Sequence, residues 1–250
     1  MHWTGEIARG DWIRDRLHGW GVVGSTVPRG FEAYARVFHP AEVSWRDAAA
    51  RSGTTWHPAM QWDSLDPSGT LDGPEVGHLD LPSLAALALV LDKHTTTPDD
   101  ATAGIWDGFG ELRSGGSTTL FASSDGSAPP EHANTLDPDV YAAVARGPVL
   151  ELPGRAYVLL SARVAEFADT DWPLRAGIGW NRHFGPTPNL LWTADHAWVL
   201  ASEIDFDSTL VAGSRALVDA VLASADLEAA EVAEDTDLSS TGDTVNPAPR

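Results

Sequence analysis

The sequence predicts an α+β fold, a single domain in which an antiparallel sheet carries several packed helices. Three observations predict it. Apolar or alternating runs flank turn residues twice, VLEL-PGR-AYVLLS over 149–161 and LLW-TADH-AWVLASEID over 190–205, and each pair reads as a β-hairpin. Isolated helical stretches stand apart from these, marked by start signals at Ser44, Pro82, Thr97-Pro98, Pro138 and Gly213-Ser214. No internal repeat and no linker divides the chain, so the domain is drawn over 1–245 and the terminal NPAPR of 246–250 is expected to be a disordered tail.

In chain order, His2 to Ile7 predicts a short strand and Asp11 to Leu17 a short helix, and glycines 19, 21 and 24 mark a turn-rich connection. Ala33 to Phe38 is rich in aromatic and β-branched residues and predicts a strand ended by Pro40, with Tyr34, Arg36 and Phe38 on one face; a helix competes over Phe31 to Val37. Ser44 as N-cap, Asp47 at N3 and Gly53 after the last turn bound a helix. Thr54 to Gly77 is dense in Pro, Gly, Asp and Ser, a long irregular connection carrying Trp56, His57 and Trp62. Pro82 to Lys93 is the most strongly marked helix, and its Ala, Leu and Val content places it in the core.

Thr97 as N-cap, Pro98 at N1 and acids at 99 and 100 predict a further helix reaching Trp106. Ser117 to Ala122 reads as a strand and Ser123 to Thr135 as a mobile polar loop. Pro138 to Ala145 fits a short helix, the first hairpin turns at Leu152 to Arg155, and Arg163 to Asp169 fits a helical turn before an irregular stretch from Asp171 to Pro188. In the second hairpin the strand from Ala197 runs through Asp205, placing Trp198, Leu200, Ile204 and Phe206 on one side and Glu203, Asp205 and Asp207 on the other. Ser208 to Val211 continues it or forms a bulged extension. Ser214 then caps a helix to Ala223 with Leu217, Val218, Val221 and Leu222 as its apolar stripe, and Leu227 to Val232 reads as an edge strand.

Composition narrows the function classes. The chain has no Cys, which excludes disulfides, thiolate metal sites and a Cys nucleophile. Its longest apolar run, Leu84 to Leu91, is far short of the ~20 residues of a membrane span, and the first residues lack a leader pattern, so a soluble, cytoplasmic protein is expected. The net charge of -20 is uneven, being slightly positive over residues 1–60 and strongly negative beyond. Such a field repels nucleic acid and anionic membranes and attracts a protein partner with a basic surface. Eleven Trp against three Tyr point to rings anchoring a core or lining a cleft.

The motifs of dinucleotide, P-loop, zinc-protease and serine-hydrolase sites are absent, and no cofactor is implied. Glu203, Asp205 and Asp207 are the strongest candidate site. On one strand their Cβ atoms stand roughly 6.5–7 Å apart, which suits a hard cation such as Mg²⁺ or Ca²⁺, or a general acid and base pair. A solvated face, or pairing with an arginine, competes with that reading. Arg29 or Arg36 is expected to pack near Glu203 or Asp205. Trp192 and Trp198, flanking the second hairpin's turn, are candidates for a ligand cleft, with core packing the alternative.

At VPRGFEAYARVFHP, HTTTPDDATAGIWDGFG, GPVLELPGRAYVLLSA and LLWTADHAWVLASEIDFDSTLVAGS the chain resembles a family of uncharacterised actinobacterial proteins, and Arg-rich, Lys-poor usage agrees with such an origin. The resemblance spans nearly the whole length and implies one coherent domain. It implies no activity, because that family has none assigned, and it carries over no catalytic residue. The plain Ala-Thr-Ala-Gly before Trp106 departs from the aromatic-rich segment of that family. Two functions follow as expectations: a binding or interaction protein without catalytic activity, for a basic protein or a small ligand, and a cation-dependent hydrolase or transferase using Glu203, Asp205 and Asp207.

Overall fold

Nine strands form one antiparallel sheet in the computed structural model, which describes residues 1–113, 136–180 and 185–246. They are β1 (His2–Thr4), β2 (Ala33–Phe38), β3 (Ala101–Trp106), β4 (Leu150–Leu152), β5 (Arg155–Ala162), β6 (Leu190–Thr193), β7 (Val199–Ser202), β8 (Ser208–Gly213) and β9 (Ala229–Val232). Their order is β1-β5-β3-β6-β7-β8-β2-β9, with β4 paired to β5. The predicted α+β class and both hairpins are present: β4 and β5 pair as Leu152 with Arg155, and β6 and β7 as Leu191 with Leu200.

Alternation along the strands divides the core between two faces. Ala35, Ala103, Leu160, Leu191, Leu200 and Val211 point to one face, where helices Leu81–Leu91, Pro138–Arg146 and Arg215–Leu222 cover them with Leu87, Val140 and Val218. Tyr34, Leu159, Trp192, Val199 and Leu210 point to the other. Short helices and loops cover that second face through Ile13, Leu17, Val23 and Leu238, and a Trp45, Met60 and Trp62 cluster extends it beside Phe38 and Ala230. No helix among the described residues is long and apolar enough to cross a membrane.

Local signals set several boundaries where they were expected. Ser44 Oγ accepts from the Asp47 amide at 3.0 Å and Gly53 closes that helix in the left-handed conformation at φ 73°. Ser214 caps its helix by accepting from the Leu217 amide at 3.2 Å. β2 is a strand, and the competing helix over Phe31 to Val37 does not form.

Three expectations are corrected. The helix from Thr97 to Trp106 is a turn followed by strand β3. Thr97 Oγ1 accepts from the Asp195 amide at 3.1 Å instead of capping, and the segment is drawn between β5 and β6. Gly104 fits there because a Cβ would lie 3.2 Å from Leu190 Cβ and 3.4 Å from Tyr157 Cβ, so sheet packing overrides the helix-start pattern. The strand expected through Asp205 ends at Ser202, and 203–207 is a turn in which the Phe206 amide donates to the Glu203 carbonyl at 3.0 Å. Ser208 to Gly213 is therefore a separate strand, β8, paired to β7, and not an extension of it. Asn246, expected in the tail, is buried, and its side chain accepts from the Thr55 amide and donates to the Thr55 carbonyl. The strand and loop expected over 117–135, and residues 247–250, lie outside the described residues.

The turn of the second hairpin is anchored from outside the sheet. Asp195 accepts from the Thr96 amide, from the hydroxyls of Thr95, Thr96 and Thr193, and from the Ala197 amide. Its partial burial opposes ionisation, but these donors outweigh that and hold the carboxyl well below the usual carboxylate range. His196 follows at φ 54°, its ring stacked on Trp12 at 4.1 Å.

Candidate functional site

The ends of two hairpins meet the loops of the second face around a cleft of about 920 Å³. The β4–β5 turn contributes Pro153, Gly154 and Arg155, and the β7–β8 turn contributes Glu203, Asp205, Phe206 and Asp207. Trp20, Trp62, Asp63 and Val76 also line it, with Leu238 and the two serines after it. The volume falls in the range of small-molecule and peptide sites.

Position follows from local structure. Arg155 opens β5 immediately after the Pro153-Gly154 turn, where Gly154 takes φ 84°. Glu203 and Asp205 sit on the β7–β8 turn, and Gly77 clamps that turn from the neighbouring loop by donating to the Phe206 carbonyl at 2.8 Å. Gly77 has φ 91°, and a Cβ there would come within 2.8 Å of the Ile204 carbonyl oxygen. Asn189, fully buried, ties these parts together. Its Nδ2 donates to the carbonyls of Gly77 and Ser202, and its Oδ1 accepts from the Trp106 amide at 2.9 Å.

The three acids proposed from sequence lie close in the chain and divide between two arginines. Arg155 donates to Glu203 Oε1 from Nε at 3.1 Å and from Nη2 at 2.6 Å, and Nη2 also reaches Asp205 Oδ2 at 2.8 Å. Its guanidinium lies 5.9 Å from the Trp106 ring centroid. Asp207 instead accepts from Arg36 Nη2 at 2.9 Å. Arg36 is fully buried and also donates to Ser208 Oγ and to the Pro58 and Met60 carbonyls, with Phe38 beneath its guanidinium at 4.7 Å. Burial pushes the Arg36 guanidinium down and the charge of Asp207 opposes it. Burial, and behind it the charge of Glu203, pushes the Tyr157 phenol up.

The expectation that Arg29 or Arg36 packs near Glu203 or Asp205 is therefore replaced. Arg36 takes Asp207, the third acid, and Arg155 takes the other two. Arg29 packs against Gly24 and forms no ion pair with any of the three. Among the described residues no group of three or more His, Asp or Glu side chains is placed to hold a metal ion. Trp192 and Trp198 are buried on opposite faces of the sheet, and neither lines the cleft.

Trp20, Asp63 and Arg155 escaped the sequence reading. Trp20 stood in a glycine-rich connection and Arg155 at the end of a turn tripeptide, so each had a local explanation. The available signal was indirect: Gly19 and Gly21, at φ 85° and 71°, flank an aromatic residue that is 80% exposed. A large ring isolated between glycines is presented to solvent, not packed.

Four carboxylates line the cleft (Asp63, Glu203, Asp205 and Asp207) against the guanidinium of Arg155 and that of Arg36, buried behind Asp207, a formal charge of -2. With the apolar surface of Trp20, Trp62, Val76 and Phe206 beside them, the cleft matches a ligand that is both cationic and apolar. Comparisons with family models, curated proteins and solved structures found no match for the chain.

Proposed function

We propose that this protein works by binding, and that the cleft between the β4–β5 and β7–β8 turns takes a cationic ligand with an apolar body. The observation that supports this reading is the pairing of a formal charge of -2 at the cleft with an aromatic residue that is 80% exposed at the rim. The two features act on different parts of a ligand. Carboxylates steer and orient a cation, and Trp20 supplies area and a π face for it. The net charge of -20 extends the same preference to the approach of a basic protein partner, and an acidic cytoplasmic binding protein is the corresponding cellular reading.

The test is a titration of the intact chain with a capped Leu-Arg-Leu tripeptide and its Leu-Glu-Leu counterpart, followed by Trp emission and by calorimetry. The arginine peptide is expected to bind saturably at low salt, to weaken as salt rises, and to be displaced by an excess of itself. The glutamate peptide is expected to give no heat. Equal responses to the two peptides, or no response to either at low salt, would overturn the proposal.

A further inference from the structure

We infer that Arg155 is a tethered occupant of the cleft, holding the place of a ligand guanidinium, and that binding transfers Asp205 from Arg155 to the ligand. The inference deepens the binding reading and rests on it. It also narrows the ligand class to a guanidinium compound, an arginine side chain on a peptide being the simplest example.

The two carboxylates that Arg155 holds are not equivalent. Glu203 receives two hydrogen bonds, at 3.1 and 2.6 Å, and both side chains of that pair are about one-fifth exposed. Asp205 receives one, at 2.8 Å, and its side chain is 70% exposed. The first contact is forked and shielded; the second is single and open to water, where an ion pair is screened and contributes little. An incoming guanidinium therefore replaces the second contact at small cost and leaves the first in place.

The occupant's own geometry identifies what fits. The Glu203–Asp205 turn presents carboxylate oxygens to the planar fork of an arginine, with the Trp106 ring at 5.9 Å from the guanidinium carbon. One planar guanidinium spans two carboxylates here, Nε and Nη2 converging on Glu203 Oε1 and Nη2 also reaching Asp205 Oδ2, whereas an ammonium presents its donors from a single atom, so this arrangement favours arginine over lysine. Trp20 and Val76, both exposed and both lining the cleft, offer apolar surface for the neighbours of such an arginine.

Calorimetry with capped Leu-Arg-Leu on the wild type, R155M, D205N, the double variant R155M/D205N and R175M decides the matter. R155M is expected to bind about fivefold tighter, the equivalent of releasing one exposed ion pair. R175M removes an exposed arginine outside the cleft and reports the effect of net charge alone; it is expected to leave affinity within about twofold. The gain is expected to vanish in R155M/D205N, because Asp205 is the group released. R155K, which keeps a charge beside Glu203 without the planar group whose Nη2 spans Glu203 and Asp205, is expected to reproduce the gain and covers the case in which R155M folds poorly.

Tight binding by the wild type with no gain in R155M and R155K overturns this inference and leaves the binding reading standing. A gain that persists without Asp205, or that R175M matches, overturns it equally. Absence of binding in every variant, with urea transitions showing them folded, overturns both.

Discussion

Arg36 Nη2 donates from β2 to Asp207 Oδ1 in the β7–β8 turn at 2.9 Å, and the arginine is 1% exposed while the carboxylate opens onto the cleft. Every nitrogen of this guanidinium has an acceptor, one of them charged. Removing that charge strands a cation inside the sheet. Asp207→Asn is expected to lower stability by about 3 kcal/mol. Asp205→Asn, which removes an exposed and screened partner, is expected to cost under about 1 kcal/mol. Urea unfolding of the two variants checks the contrast, and equal midpoints would show that Arg36 does not depend on Asp207.

His39 sets a pH dependence. It is fully buried; Nδ1 donates to the Glu75 carbonyl at 2.6 Å and Nε2 meets Thr209 Oγ1 at 2.9 Å, which in turn meets Ser202 Oγ at 2.6 Å. Burial pushes the imidazole down to about 4; the Glu75 carbonyl opposes this, and the charges of His78 and Arg36 reinforce it. The folded chain thus binds the proton more weakly than the unfolded chain, whose histidine titrates near 6.5. The contribution is complete above that value and is lost as pH falls toward about 4, by about 3 kcal/mol in total. His39→Gln is expected to flatten the stability profile in that window relative to wild type. Parallel profiles between pH 7 and 4 would contradict it.

The sheet was legible in the sequence where the pattern is local and one-sided. The hairpins, the Ser44 and Ser214 caps and the edge strand β9 follow from turn residues, capping geometry and alternation, all of which act within a few residues. β3 was not legible, because Thr97-Pro98-Asp99-Asp100 resembles a helix start and only the narrow slot between β5 and β6 makes Gly104 favour a strand. The site failed in a related way. The alternation from Trp198 to Asp207 continues through a turn, so period alone extended the strand past Ser202 and put three acids on a face that does not exist. The arginines were assigned from charge balance along the chain. What pairs them is the sheet: β2 lies beside β8, and the antiparallel run β5-β3-β6-β7 puts the start of β5 and the end of β7 at one end, so that Arg155 reaches across the ends of β3 and β6 to Glu203.

Asn189 ties fold to cleft, and its side chain links three backbone groups: the Gly77 and Ser202 carbonyls and the Trp106 amide. Asn189→Leu keeps the size and removes the polar atoms. It is expected to destabilise the chain by about 3 kcal/mol, since buried backbone groups are left unpaired. Gly77→Ala is expected to act on the same turn, because a methyl group collides with the Ile204 carbonyl and the backbone is left-handed there. Urea midpoints report both, and a wild-type midpoint for Asn189→Leu would mean that those groups are satisfied otherwise.

Trp20 separates binding from stability. Its ring is 80% exposed and makes no part of the buried clusters, so Trp20→Ala is expected to change the urea midpoint by no more than the equivalent of about 0.5 kcal/mol. The same ring offers the largest exposed apolar surface at the cleft rim, and truncating such an anchor is expected to weaken capped Leu-Arg-Leu by at least about tenfold. Acrylamide quenching gives a second view: the wild type is expected to lose accessible emission on saturation with peptide, and Trp20→Ala to show little change because the other cleft indole, Trp62, is 9% exposed. The two measurements move together only if the ring contacts the ligand. Full affinity in Trp20→Ala would place the ligand elsewhere on the acidic surface and would remove the aromatic half of the recognition.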